Sequence, residues 1–211
     1  MRRLTRVDKA LAAAQQRLAI VSGFGPPAQR EYPAKSRDVP ADPAERRHSA
    51  ALMRVNHVGE ICAQALYDGQ AATARTDRVR AVMREAAAEE LDHLDWTRRR
   101  IKELGGRTSR LGGLFYVSSF AAGAVAGAVG DPFNLGFLAA TEDEVSAHLD
   151  RHLERLPESD VGSAEIVAQM RDDEAQHAQT ARQAGGAEFS PIVKRTMRAA
   201  SKIMTGLTYR F

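Results

Sequence analysis

The sequence predicts an all-α fold, a four-helix bundle with a long apolar crossover helix and a further C-terminal helix. Three observations carry this. Ala, Glu, Arg, Leu and Gln dominate from about residue 45 onward, and no alternating apolar–polar run marks a strand. Polar and Gly/Pro-rich breaks recur at Thr73–Asp77, Gly105–Arg110, Gly130–Pro132, Leu156–Asp160 and Gly185–Pro191. Between them lie segments of helical length at about 45–73, 77–104, 111–130, 132–156, 161–184 and 191–206. Thr76 or Asp77, Asp131 before Pro132, and Ser190 before Pro191 are the expected N-caps.

Ahead of this body, Leu4, Val7, Leu11 and Leu18 repeat at helical spacing and predict a short helix ending near Ile20. Gly23-Phe24-Gly25-Pro26-Pro27, followed by Pro33, Pro40 and Pro43, then reads as a linker or an arm lying on the body. The expected division is 1–44, an N-terminal helix and Pro-rich arm, and 45–211, the helical domain. Arg2 and Arg3 imitate the start of a secretory signal, but Asp8, Lys9 and Arg17 interrupt any apolar stretch behind them. The segment is amphipathic and poor in acids, which leaves an organellar transit peptide open.

Thirty basic against 27 acidic residues leave a net charge of +3, too small to argue for a nucleic-acid partner but compatible with an anionic membrane surface. The single cysteine, Cys62, excludes an internal disulfide framework and any Cys-based zinc or iron–sulfur site. From Leu111 to Gly130 there is no charged residue, and Gly123-Ala-Val-Ala-Gly127 is a small-xxx-small pattern. A buried crossover helix, an interfacial helix dipping into a membrane and a true span all satisfy this segment. A span would separate the flanking helices across a bilayer, which conflicts with the constellation that follows.

Two Glu-x-x-His units occur, Glu90-Leu-Asp-His93 and Glu174-Ala-Gln-His177. Residues i and i+3 share a helix face, so a carboxylate and an imidazole converge on one ion. Each unit alone is weak, because Glu and His are common on solvated helices. Each, however, has another glutamate about one hairpin upstream: Glu60, 30 residues before Glu90, and Glu142, 32 residues before Glu174. Residues in an antiparallel pair lie level when the turn is midway between them. Midway between Glu60 and His93 falls the Thr76–Asp77 break, and midway between Glu142 and His177 falls Ser159–Asp160. The prediction is a duplicated hairpin, each copy giving one Glu from its first helix and Glu plus His from its second. That is the ferritin-like di-iron carboxylate arrangement. Four carboxylates buried without partners would be prohibitive, whereas two divalent cations neutralise them and two neutral imidazoles complete the shell. Oxygen and imidazole donors without thiolate favour iron or manganese over a structural zinc.

At Leu52-Met-Arg-Val-Asn-His-Val-Gly-Glu60 the sequence resembles the demethoxyubiquinone hydroxylase family, the di-iron monooxygenases of coenzyme Q biosynthesis. The resemblance continues through Glu90-Leu-Asp-His93, Thr141-Glu-Asp-Glu-Val-Ser-Ala-His-Leu149 and Arg171-Asp-Asp-Glu-Ala-Gln-His177, and spans about 45 to 211. By position it implies the ligand set Glu60, Glu90, His93, Glu142, Glu174 and His177, with Glu144 a rival for the fourth carboxylate. It implies two iron ions per chain, O2 as co-substrate, reducing equivalents ultimately from NADH, and hydroxylation of the ring of a prenylated demethoxybenzoquinol. No Gly-rich dinucleotide fingerprint accompanies this, and no catalytic residue beyond the metal ligands is assigned. A substrate with an isoprenoid tail implies a membrane surface as partner, alongside other ubiquinone-biosynthesis proteins. The implied location is the cytoplasmic face of a bacterial cell membrane, peripherally bound, or alternatively the matrix side of the mitochondrial inner membrane.

Several neighbours carry a functional and a structural reading side by side. His57, one turn before Glu60, either hydrogen-bonds near the metals or is structural. His148 lies off the Glu142 face, while His152 and His48 read as solvated. Tyr67 and Trp96 line a channel or belong to the core. Arg98-Arg99-Arg100-Ile-Lys102 reads as a solvated helix end or a contact to lipid headgroups. Two other classes of protein fit the same motifs: a ferritin-like iron-oxidising or storage protein, and a scaffold whose Glu-x-x-His units are coincidental.

Overall fold

The computed structural model describes residues 5–22 and 25–210; Arg2, Arg3, Leu4, Gly23 and Phe24, which enter the expectations above, lie outside them. Among the described residues there are seven helices and no strand. They are α1 (Arg6–Val21), α2 (Pro43–Thr73), α3 (Asp77–Glu103), α4 (Gly112–Val129), α5 (Asp131–Leu153), α6 (Val161–Gln183) and α7 (Pro191–Arg210). Each boundary has a local cause. Asp42 caps α2 by accepting from Ala44 N–H, with Pro43 in the first turn. Thr76 caps α3 by accepting from Val79 N–H, and Asp160 caps α6 by accepting from Ser163 N–H.

Asp131 departs from expectation. The residue that caps α5 is Gly130, at φ 142°, a conformation open to glycine. The Asp131 carboxylate instead turns to the α2–α3 junction, accepting from Arg75 N–H at 2.9 Å, Thr76 N–H at 3.0 Å and the Thr76 hydroxyl at 2.6 Å. It ties the turn of the first hairpin to the start of the second.

The helices pair as two antiparallel hairpins, α2 with α3 and α5 with α6, and the hairpins pack through α3 against α6 and α2 against α5. With α4 as the crossover, this is a ferritin-like bundle. α4 lies on the back of α2, and glycines set the seam. A Cβ on Gly123 would sit 2.1 Å from Leu66 O, and one on Gly69 would sit 2.2 Å from Phe120 O. The small-xxx-small pattern therefore belongs to a contact within the chain. Gly69 is nine residues from Glu60, half a revolution around the helix, so α4 packs opposite the face that carries Glu60. The outer side of α4 is apolar and open, with Leu114 and Val117 each 68% exposed and Val125 66% exposed. By length and composition alone, this helix could cross a membrane.

The arm from residue 25 to 42 has no regular structure and lies along α3 and α6. Ala28 N–H donates to Asp95, Gln29 N–H to Asp92 and Lys35 N–H to Glu165, while Tyr32 donates to Glu103. The basic run at the end of α3 is not a solvated end as a whole. Arg100 is fully buried, pairing with Asp160 at 2.6 Å and Glu103 at 3.0 Å, and Arg99 stacks over Tyr32 at 3.9 Å. The acids that claim these guanidinium groups come from the N-cap of α6 and from the next turn of α3.

Candidate metal centre

The four bundle helices bring all six sequence-predicted residues together at mid-height. Glu60 comes from α2, Glu90 and His93 from α3, Glu142 from α5, and Glu174 and His177 from α6. Their ligand atoms form two overlapping groups, each spanning no more than 4.8 Å: Glu60, Glu90, His93 and Glu174, and Glu90, Glu142, Glu174 and His177. Glu90 and Glu174 belong to both. Five of the six residues are at most 1% exposed; His177, at 8%, is the most open.

The distances give the arrangement a near two-fold symmetry. His93 Nδ1 lies 3.2 Å from Glu90 Oε2, 3.3 Å from Glu174 Oε1 and 3.7 Å from Glu60 Oε2. His177 Nδ1 lies 3.2 Å from Glu174 Oε2, 3.7 Å from Glu90 Oε1 and 3.9 Å from Glu142 Oε1. Glu90 and Glu174 thus aim one oxygen at each imidazole, while Glu60 and Glu142 each serve one side. Glu144 does not enter the cluster, because its carboxylate is held by Arg198 at 2.9 and 3.0 Å.

Two acids that sequence reasoning missed complete the site. His93 Nε2–H donates to Asp173 at 2.9 Å, and His177 Nε2–H donates to Glu89 at 3.2 Å. Each acid immediately precedes the glutamate of one Glu-x-x-His unit and reaches across to the histidine of the other. The signal lay in the duplication, since both units read acid-Glu-x-x-His. An imidazole that donates from Nε2 presents Nδ1 toward the carboxylates as an acceptor for a cation.

The electrostatics are those of a cluster short of positive charge. Burial, then the charges of Glu174 and Glu60, push the Glu90 carboxyl well above its usual range. Burial and Glu174 do the same to Glu142. Burial would also raise Glu174, but the hydrogen bond from His177 and the adjacent His93 imidazole outweigh it and hold that carboxyl low. Burial works against protonation of both histidines; the surrounding carboxylates win, raising His93 well above its ordinary value and His177 to about 9.

These residues fit a pair of divalent cations on structural grounds. Glu90 Oε1, both oxygens of Glu142 and Glu174 Oε1 are buried and have no hydrogen-bond donor among the described residues. Orphaned carboxylate oxygens converging with two imidazole nitrogens are the donor set of a hard or borderline metal.

The surrounding residues sort cleanly. His57 is buried and its Nδ1 meets the Thr97 hydroxyl at 3.0 Å; that hydroxyl donates to His93 O at 2.7 Å, so His57 braces the His93 turn without reaching the cluster. Burial lowers its pKa to about 4. Tyr67 and Trp96 are core residues. His152, expected in solvent, is buried, with its ring 4.0 Å from that of His148. His48 is also engaged, meeting the Tyr209 hydroxyl at 2.8 Å and Arg155 O at 3.0 Å. Both corrections arise because α7 folds back over α2 and α5, a contact that no local pattern announces.

Residues 47–208 match the model of the family described as "Ubiquinone biosynthesis protein COQ7". The chain is 52% identical over 207 residues to the 3-demethoxyubiquinol 3-hydroxylase of Bordetella avium, covering 98% of this chain and 93% of that protein. It is 56% identical over 167 residues to the enzyme of that name from Chromobacterium violaceum, covering 79% and 81% of the two chains. With the one from Ectopseudomonas mendocina it shares 50% identity over 210 residues, covering 99% and 98%. A ferritin-like bundle with paired Glu-x-x-His units, matched over most of its length, places this chain in the Ubiquinone biosynthesis protein COQ7 family.

Proposed function

We propose that this chain hydroxylates the ring of a prenylated demethoxybenzoquinol with O2, converting demethoxyubiquinol to demethylubiquinol in ubiquinone biosynthesis, at a carboxylate-bridged di-iron centre. One observation carries the chemistry: two overlapping Glu/His groups that share Glu90 and Glu174. The relatives, named as 3-demethoxyubiquinol 3-hydroxylases, supply the substrate class. In this reading Glu60, Glu90, His93 and Glu174 would hold one ion and Glu90, Glu142, Glu174 and His177 the other, with Glu90 and Glu174 common to both groups. Iron, when bound and reduced with electrons ultimately from NADH, supplies the O2 chemistry that no side chain here provides.

The chain's own residues do the rest. Asp173 and Glu89 fix the tautomer and ring orientation of the two histidines. The protons held by His93, His177, Glu90 and Glu142 leave as the cations bind, so loading is linked to pH. Burial keeps bulk water from the reacting atoms. The open apolar side of α4 rests in the membrane interface and gives a lipid-borne quinol a place to leave the bilayer. We place the protein peripherally on the cytoplasmic face of a bacterial cell membrane, where other ubiquinone-biosynthesis proteins would meet it. That exposed helix also weighs against an iron-storage role, which has no use for an apolar external face.

The test is anaerobic reconstitution followed by quinol turnover. The expected result is about two irons per chain, with conversion of demethoxyubiquinol that is lost in Glu90→Ala and His177→Ala together with bound iron. Iron-free wild-type protein, or activity surviving either substitution, would refute the assignment. A strain lacking the protein should accumulate demethoxyubiquinone.

A further inference from the structure

We infer that Arg30, on the N-terminal arm, is a positioning residue for the metal centre, its guanidinium clamping the two carboxylates that orient the opposed histidines. The inference rests on the di-iron reading above. Arg30 Nη2 lies 2.7 Å from Asp173 Oδ2, the same oxygen that accepts from His93 Nε2–H at 2.9 Å. Arg30 Nη1 lies 3.6 Å from Glu89 Oε2, the same oxygen that accepts from His177 Nε2–H at 3.2 Å. Arg30 Nε lies 4.0 Å from Asp92 Oδ2. One planar group therefore addresses both outer acids, and through them both imidazoles. The guanidinium carbon also sits 4.9 Å from the centre of the Trp96 ring, which packs 5.4 Å from the ring of His93.

Charge and geometry both call for such a group. Two divalent cations only balance Glu60, Glu90, Glu142 and Glu174; Asp173, Glu89 and Asp92 add three carboxylates just outside. A cation among them relieves their repulsion and stops them from turning inward to compete for the ions. A guanidinium directs donors along several fixed lines, which the point charge of a lysine does not. The arm is held on both sides of Arg30, by Gln29 N–H to Asp92 at 2.7 Å and Tyr32 to Glu103 at 3.0 Å, so the clamp is built in place. Residue 30 also precedes the stretch matched by the family model, 47–208, so the arm brings to the site a residue from outside that core domain.

The experiment is anaerobic Fe(II) titration of the full-length apo-protein, with near-infrared circular dichroism of the loaded form and thermal unfolding of the apo form. Variants are Arg30→Ala, Arg30→Lys and, as an arm-loosening control, Tyr32→Phe. Arg30→Ala should weaken Fe(II) binding roughly tenfold, the low end of the range for groups behind metal ligands, and shift the ligand-field bands. Arg30→Lys should recover only part of the loss and Tyr32→Phe should match wild type. If Arg30→Ala does not fold, Arg30→Lys decides, with weakened binding expected at an unchanged apo-protein Tm. Wild-type affinity and spectrum in Arg30→Ala or Arg30→Lys would overturn the inference, as would equal damage from Tyr32→Phe. No iron uptake by the wild-type chain would instead bring down the di-iron reading, and the inference with it.

Discussion

Replacing Gly123 with alanine puts a methyl group where α4 and α2 already touch through backbone. The new Cβ would lie 2.1 Å from Leu66 O, 2.9 Å from Leu66 C and 3.0 Å from Leu66 Cα. Backbone atoms of a 31-residue helix cannot rotate away, so α4 must lift by about 1 Å, overpacking in the upper part of the usual range, about 2–3 kcal/mol. Lifting it also strains neighbours in the same seam, where Gly69 meets Phe120 O and the Thr73 hydroxyl donates to Ala124 O at 2.9 Å. Alanine's helix propensity returns about 1 kcal/mol, so the net loss should be about 1–2 kcal/mol. For a chain of this size that lowers Tm by about 2–8 °C. Gly59→Ala is the matched control: it adds the same methyl to α2 with nothing within 4 Å, and should stabilise by about 0.5–1 kcal/mol. Thermal unfolding of both variants, followed by far-ultraviolet circular dichroism in the same detergent, gives the comparison. A Gly123→Ala protein that melts at or above wild type would refute the seating of α4 on α2.

Metal-free protein should lose stability as pH rises from about 6.5 to 9. His177 is raised from 6.5 to about 9 in the fold, so its contribution, on the order of 3 kcal/mol, is complete below 6.5 and gone above 9. Glu90 and Glu142, raised from 4.5, act in the same direction, whereas iron loading tightens as those protons leave. The Tm gap between loaded and metal-free protein should widen across that window, and a metal-free Tm that climbs instead would contradict the assignment. Arg100→Met strands the buried Asp160 carboxylate and should cost about 3–5 kcal/mol in urea unfolding, part of it restored by adding Asp160→Asn, which removes the charge and keeps a capping oxygen for α6. A single-variant loss under about 1 kcal/mol would show that the pair is solvated. Val117→Asp with Val125→Asp, at positions 68% and 66% exposed, should leave folding intact and abolish flotation with anionic liposomes. Undiminished flotation would refute the membrane role of α4.

The bundle was legible in the sequence because its evidence is local. Thr76 and Asp160 mark the turns at which Glu60 with His93, and Glu142 with His177, come level, and both act as N-caps. The convergence of six residues follows from those two turns and the helical repeat. What escaped depends on contacts between distant segments. Arg100 looks like one more cation on a basic helix end until Asp160, 60 residues away, is folded against it. His152 looks solvated until α7 covers it. Asp131 sits where an N-cap belongs, yet the donors at Arg75 and Thr76 outcompete its own helix for the carboxylate. Glu89 and Asp173 were readable in principle, since an acid precedes both Glu-x-x-His units, but only their reach across the α3–α6 seam gives them a role.

That seam also shows how a duplicated motif yields two unequal halves. The ligand geometry around His93 and His177 is nearly interchangeable, yet His93 is fully enclosed while His177 is 8% exposed. The difference comes from outside the duplication. Near His93 the arm lays Gln29 and Arg30 along α3, with Trp96 beneath the guanidinium. Beside His177 a cavity of about 180 Å³ lies against the ring, lined among others by Glu85, Glu89, Leu138, Gln176 and Thr180. The more open approach to the cluster therefore lies past His177 and Glu89. In the function proposed above, a lipid-borne substrate would meet the opposite side, where α4 backs the helix that carries Glu60. In that reading an internally symmetric bundle has an aqueous approach and an apolar one, a separation suited to joining a water-borne reactant to a membrane-borne one.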